Sequence, residues 1–158
     1  MLSNLGKKTR NRNNKFFMSA EHTSHLKAKT EDHGDTRQLS AFECLMRGFR
    51  RNGGPLLAIV GRVAHDGDGR TAQFSVEVED GVIKAVSFAV STCATLIAYC
   101  EFVAEGVTGA TLSRAVALTP EQVIAPLKGI PPHKYDCARL ATTALRGAVE
   151  IALNGGQK

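Results

Sequence analysis

Hydrophobic residues recur at two periods along the chain, and the change of period predicts the order of its elements. From Ser40 onward the apolar positions follow helical spacing, at Phe42, Leu45, Met46 and Phe49. Ser40 and Glu43 match a capping box, in which each side chain accepts a hydrogen bond from the other residue's backbone amide. The sequence therefore predicts a first helix that begins at Ser40 and stops at the Asn-Gly-Gly-Pro segment 52–55.

Residues 56–90 favour strands instead. Leu56 to Val63 is a mostly apolar run, and 71–79 alternates between apolar and polar side chains, as a half-buried strand does. Asp80-Gly81 is typical of a hairpin turn. We therefore expect 82–90 to return antiparallel, with its apolar face formed by Val82, Val86, Phe88 and Val90.

Helical spacing resumes after the hairpin. Helices are predicted over 94–105, ending at Gly106, over 111–118, from a Thr119 capping box to about 127, and over 137–153. One helix, three strands and then several helices indicate an α+β domain, with helices packed on one face of a three-stranded antiparallel sheet. This domain is assigned to residues 39–154.

Residues 1–38 carry no apolar period, so we predict a disordered basic and polar tail. The chain's formal net charge is +5, and its first five charged side chains are all basic: Lys7, Lys8, Arg10, Arg12 and Lys15. These five account for the excess, because the other 15 basic residues balance the 15 acidic ones. The domain itself lacks the basic surplus of a nucleic-acid-binding protein, and no nucleic-acid partner is expected.

The chain is expected to be cytoplasmic. No stretch approaches the ~20 apolar residues of a membrane span, and the first twenty residues lack the apolar core of a secretory signal. Because those residues are basic and free of acids, a mitochondrial transit peptide, and hence the matrix, is the alternative. Outside the secretory pathway, the four cysteines are expected to be thiols or ligands rather than disulfides.

Two of the cysteines begin predicted helices. Cys93 follows Thr92 and Cys137 follows Asp136, and in each pair the first residue is expected at the N-cap. The partial positive charge of a helix N-terminus favours the thiolate, the form that binds metals. The Asp136 carboxylate opposes this effect at Cys137. Cys93 and Cys137 are the candidate site residues.

The other two cysteines are expected to pack in the core. Cys100 lies seven residues after Cys93, about 10 Å along a helix axis. That separation is too large for one metal ion bound at ~2.3 Å from each sulfur. Cys44 lies inside the first predicted helix.

Residues 73–153 resemble the IscU/NifU N-terminal family of iron–sulfur cluster assembly scaffolds. The resemblance covers 74–83, then 86–93 with the helix after it, and is clearest over 130–141, Ile-Pro-Pro-His-Lys-Tyr-Asp-Cys-Ala-Arg-Leu-Ala. There the family reads Leu-Pro-Pro-x-Lys-x-His-Cys, followed by a small residue and a Leu-Ala step. The resemblance implies an IscU/NifU-N-like fold, which is similar to the α+β order predicted above.

The family's site uses three cysteines and a histidine, with an aspartate nearby. By this resemblance Cys93 matches the second cysteine and Cys137 the third. Lys134 matches the lysine of the Pro-Pro-x-Lys stretch, and Asp136 stands where the family has histidine. Two of the family's ligand positions are therefore retained as sulfur and one has become a carboxylate.

The family's first cysteine belongs to a Cys-Gly-Asp step before the hairpin. An ungapped count places Asp68-Gly69-Arg70 there, and two extra residues place Asp66-Gly67-Asp68 there instead. Either way an acid replaces the cysteine. His65 is close enough in sequence to offer a nitrogen.

The resemblance implies a scaffold or carrier that binds iron or a [2Fe–2S] cluster through Cys93 and Cys137. Asp136 and Asp68 are the further ligands that it implies, and Asp66, His65 and Lys134 are additional candidates. The implied partners are a cysteine desulfurase and cluster-transfer proteins.

Two alternatives stay open. Carboxylates are harder ligands than thiolates, so the altered set also suits a mononuclear zinc or iron ion. The lost cysteine also fits a degenerate, metal-free interaction subunit of a larger complex. The chain has no catalytic Ser/His/Asp set, phosphate loop or paired-carboxylate pattern, so we do not expect an enzyme.

Overall fold

The computed structural model describes residues 40–155, and the structural statements below refer to this range. The predicted tail over 1–38 lies outside the described residues and stays a prediction. In chain order the elements are α1 (Ala41–Arg51), β1 (Ile59–Val60), β2 (Ala64–His65), β3 (Thr71–Glu79), β4 (Val82–Val90), α2 (Ala94–Val107), α3 (Leu112–Val116), α4 (Pro120–Ile124), a 3₁₀ turn (Pro132–Lys134) and α5 (Asp136–Gly155).

The antiparallel sheet is three strands wide, as predicted, although its first edge is broken. β3 lies in the centre and pairs with β4 on one side, and β1 and β2 both pair with its other side. The expected single strand over 56–63 is wrong. Only β1 forms within this range. The chain leaves the sheet edge at the exposed residues Arg62 and Val63, and β2 follows beyond them.

A register shift between Glu77 and Val78 changes which face of β4 is buried. Before the shift the alternation holds, with Phe88 opposite Phe74. Beyond it Ile83 pairs with Val78 and is fully buried. The predicted apolar face is therefore wrong at Val82, because one extra residue in a strand reverses the alternation of side chains.

The starts of the helices were predicted more accurately than their ends. Both predicted capping boxes form, at Ser40 of α1 and Thr119 of α4. α2 continues through Gly106 to Val107, and the glycine after its C-cap is Gly109, whose φ is +84°. α4 ends at Ile124, three residues before the expected end.

The helices bury the sheet and one another. α5 packs against β3, α2 packs against β4 and α5, and α1 packs against α2. The largest fully buried side chains come from these elements: Tyr99, Phe74, Ile83, Leu96 and Leu145. No helix within residues 40–155 is long and apolar enough to cross a membrane. This packing brings the start of α5, the start of α2 and the loop before β3 to one end of the sheet.

Candidate metal site

Cys93 and Cys137 lie at the starts of α2 and α5, but each expected cap position is off by one. Cys93 is itself the N-cap of α2, without a side-chain capping bond, and is half-buried. Cys137 is the second residue of α5 and is fully buried. The 3₁₀ turn runs almost directly into α5, so Asp136 already belongs to the helix.

The two thiols interact. The pKa of Cys137 is raised to about 11, chiefly because the thiol is buried and in part through the charge and hydrogen bonding of Cys93. Arg70 and Lys134 act in the opposite direction, because positive charge favours the thiolate. In the metal-free protein Cys137 is therefore a neutral thiol near pH 7, and a metal ion that binds it must displace its proton.

Arg70 is the site residue that sequence reasoning missed. Its Nη1 donates to Cys137 Sγ at 3.2 Å, its Nη2 lies 2.8 Å from Asp68 Oδ2, and its Nε lies 2.5 Å from Asp66 Oδ2. The guanidinium thus connects one candidate thiol with both candidate carboxylates of the preceding loop. The four-residue spacing of Asp66 and Arg70 was visible in the sequence, but the contact with Cys137 was not.

Asp66 is committed to the structure of its own loop. Its Oδ1 accepts hydrogen bonds from the backbone amides of Asp68 and Arg70, and Gly69 turns the chain at a φ of +76°. Partial burial opposes ionisation of Asp66, but the bonds from Arg70 and from the two amides outweigh it and lower the pKa. The side chain of Asp68 is 76% exposed and pairs with Arg70, so Asp68 is the carboxylate that a ligand could recruit.

A cleft of about 340 Å³ joins this loop to the first turn of α5. Its polar lining consists of His65, Asp66, Asp68, Arg70, Asp136, Arg139 and Thr143. Asp136 is exposed and forms a 3.6 Å ion pair with Arg139, and Lys134 is half-buried at the end of the 3₁₀ turn. The structure therefore gathers all seven sequence-predicted site residues around one end of the sheet.

The predicted residues are gathered but are not arranged as a finished metal site. Among residues 40–155, no group of three histidine, cysteine, aspartate or glutamate side chains is positioned to hold a metal ion. The two thiols form a pair, and Arg70 engages both acids of the loop. A metal ion bound here would have two thiols available, and further ligands would have to move toward it.

Comparison with known proteins identifies the chain's family. The model of the NifU-like N-terminal domain matches residues 48–152. The chain belongs to this family. The range includes every candidate ligand between His65 and Cys137, and it confirms the resemblance inferred from the Pro-Pro-x-Lys stretch.

Named relatives give the same assignment. The chain is 32% identical over 90 residues to the iron–sulfur cluster assembly scaffold protein IscU 1 of Archaeoglobus fulgidus, covering 57% of this chain and 59% of that protein. It is 37% identical over 84 residues to the mitochondrial iron sulfur cluster assembly protein 1 of Debaryomyces hansenii, covering 53% and 46%. The chain thus spans about half the length of the curated relatives it matches.

A solved structure shows the same fold. The crystal structure of a hypothetical protein superposes with a TM-score of 0.54 at 17% identity, covering 70% of this chain and 96% of that one. At this identity the likeness concerns the fold alone, and it supports the α+β architecture derived above.

The remaining two cysteines are core residues, as expected. Cys44 and Cys100 are fully buried, and burial is the largest cause that raises the pKa of Cys44 to about 12 and that of Cys100 well above its ordinary value. The charges of Cys137 and Cys93 also raise the pKa of Cys100.

Proposed function

We propose that this protein is a scaffold or carrier for iron–sulfur clusters, with iron or a [2Fe–2S] cluster as its cargo. The observation that carries the proposal is that Cys93 and Cys137 interact at one end of the sheet in a member of this family. Relatives are named as cluster assembly scaffolds, and holding a cargo requires ligands rather than a catalytic set. The role is therefore non-enzymatic.

The proposed binding sequence follows from exposure and charge. Cys93 is half-buried and Cys137 fully buried, so cargo meets Cys93 first and then Cys137. Both thiols lose their protons on binding, because the thiolate is the ligand. Lys134 favours the thiolate of Cys137 by its charge. Asp68 and Asp136 complete the set, since a cluster takes about four ligands.

The donor set also supports a second candidate, a mononuclear zinc or iron site. Two thiols together with two carboxylates on the rim of one cleft are a harder set than the thiolates and imidazoles that clusters prefer. Such an ion would use the same side chains. The two candidates differ only in whether sulfide is bound with the metal.

The partners proposed are a cysteine desulfurase, which supplies sulfur, and cluster-transfer proteins, which receive the cargo. The proposed compartment is the cytoplasm, with the mitochondrial matrix as the alternative because some relatives are mitochondrial. A degenerate interaction subunit without metal is the outcome that would replace these proposals.

Anaerobic reconstitution of the full chain with Fe²⁺ and sulfide tests the function. We expect visible charge-transfer absorption, with iron and sulfide in equal amounts, that is lost in Cys93→Ser and in Cys137→Ser. Cys44→Ala is the matched control, because Cys44 is fully buried in α1 away from the pair. One equivalent of zinc without colour would favour the mononuclear site. Absence of bound metal under all conditions would overturn both candidates.

Restoring the family's ligands provides a second test. The double variant Asp68→Cys, Asp136→His replaces two hard ligands by a thiolate and an imidazole, and it should hold a reconstituted cluster longer than the natural chain. Asp66→Cys with the same second change is the comparison. It should do worse, because it removes the carboxylate that organises the 66–70 loop. Equal cluster lifetimes in all three proteins would refute the proposed ligand roles.

A further inference from the structure

We propose that Arg70 is a built-in counter-ion of this site, which occupies the cation position in the metal-free protein and must be displaced when cargo metal binds. The inference rests on the proposed function and adds a regulatory element to it. Its basis is that one guanidinium contacts Cys137, Asp68 and Asp66 through three different nitrogens.

The contacts resemble what a bound cation would receive. The side chain of Arg70 is only 16% exposed, as is fitting for a group enclosed by its partners, and its planar fork directs one N–H to each of them. Two carboxylates and a sulfur therefore surround a single positive charge. A lysine could not make all three contacts, because an ammonium is a point donor on a flexible stem.

A metal ion and the guanidinium compete for the same sulfur. With the Nη1–Sγ contact at 3.2 Å and a metal–sulfur bond of ~2.3 Å, two cations sharing Cys137 would lie no more than ~5.5 Å apart. Like charges at that distance repel strongly in a partly buried site. We therefore expect metal binding to Cys137 to drive Arg70 away from the sulfur, while Arg70 keeps its proton and the two thiols release theirs to water.

The structure provides room for that movement. Both Arg70 and Asp136 line the 340 Å³ cleft. The guanidinium would leave Asp66 Oδ2 as it turns into the cleft. The backbone bonds of the loop, including the one from the Arg70 amide to Asp66 Oδ1, can stay in place because they do not involve the Arg70 side chain. Asp68, exposed on the outer side, is then free to bind the metal.

Ungapped alignment to the family's Cys-Gly-Asp step places Arg70 at the aspartate, whereas the alignment with two extra residues places Asp68 there. In the ungapped alignment the charge at this position is opposite to that in the family motif. A scaffold with this arginine should bind metal less readily than one without it. In the metal-free protein the arginine should also keep other cations from binding to the thiols.

Metal binding by the full-length, metal-free chain tests the proposal, with Co²⁺ as the probe because thiolate–cobalt absorption reports ligation by sulfur. Arg70→Gln should bind Co²⁺ about tenfold more tightly or better, since it removes a charge in contact with the ligand. Arg70→Lys, which keeps the charge but loses the fork, should lie between Gln and the natural chain. Arg146→Gln is the matched control. It removes an exposed arginine of α5 that does not line the cleft, so its effect should stay within about threefold.

A second measurement uses the natural chain, so its result does not depend on whether the variants fold. In the metal-free protein the Arg70 Nε–H should give a distinct, protected NMR signal, which is assigned by its loss in Arg70→Gln. Adding Zn²⁺ should shift or abolish that signal as the guanidinium leaves. An unchanged signal in the zinc-loaded protein would overturn the proposal.

Failure of this inference can be told from failure of the proposed function. If the natural chain binds Co²⁺ through Cys93 and Arg70→Gln binds it no more tightly, the metal site stands and the counter-ion role is wrong. If neither protein shows thiolate–cobalt absorption, both ideas fall, because removing Arg70 would then open no site.

Discussion

Replacing Gly61 by alanine should destabilise the fold by an amount that the structure allows us to work out. A Cβ at position 61 would lie 2.8 Å from the backbone nitrogen of Ala148, 2.9 Å from its Cβ and 3.0 Å from its Cα. The strand cannot easily retreat, because the Gly61 amide donates to Phe74 O at 2.9 Å and its carbonyl accepts from Gln73 Nε2 at 2.9 Å. The edge of the sheet and α5 must therefore separate at this point.

Overpacking of this kind costs about 1–3 kcal/mol. For a domain of this size each kcal/mol lowers the melting temperature by roughly 3–5 °C, so Gly61→Ala should melt about 3–15 °C lower. Differential scanning calorimetry of both proteins measures this. Gly67→Ala is the control, since a Cβ there meets nothing within 4 Å, and the reduced freedom of the unfolded chain should leave its stability unchanged or raised by up to about 1 kcal/mol. Equal melting temperatures for the two variants would refute the close approach of the sheet edge to α5.

Two further predictions concern charged groups. Arg51→Ala should lower the free energy of unfolding by about 2–4 kcal/mol, because it leaves the Glu101 carboxylate, which is 2% exposed, without its ion pair. Arg47→Ala breaks an exposed pair and should lower it by under about 1 kcal/mol. Urea unfolding measures both, and similar losses for the two variants would contradict this prediction. The lowered pKa of Asp66 means that its contribution to stability is complete above the ordinary value of 3.8 and is lost as pH falls through the lower folded value. The free energy of unfolding of Asp66→Asn should therefore fall less than that of the natural chain between about pH 5 and pH 2. If the free energies of the two proteins fell in parallel with pH, the ionised form of Asp66 would contribute no stability.

The parts of the fold that follow local rules were predictable from sequence. The capping boxes at Ser40 and Thr119 depend on residues three positions apart, and both form. The Asp80-Gly81 turn depends on backbone conformation at two residues, and both have positive φ. Such features are decided within a few residues of chain, so no knowledge of the packing is needed.

The errors fall where packing overrides the pattern. The extra residue lies in β4, opposite the step from Glu77 to Val78, and it places Ile83 instead of Val82 in the core. Alternation alone cannot reveal where a strand contains an extra residue. The break between β1 and β2 is a second case. The apolar run 56–63 reads as one strand, yet only two of its residues pair within β1.

The sequence by itself determined that two cysteines begin helices, that acids stand at two positions where the family has other ligands, and that the order of elements is α+β. Only the tertiary structure decided which groups meet. Arg70 and Cys137 are 67 residues apart, and their contact exists because α5 packs against β3, whose first residue follows Arg70. Local propensities act over a few residues, whereas the charge that faces a buried thiol depends on which surfaces the core brings together.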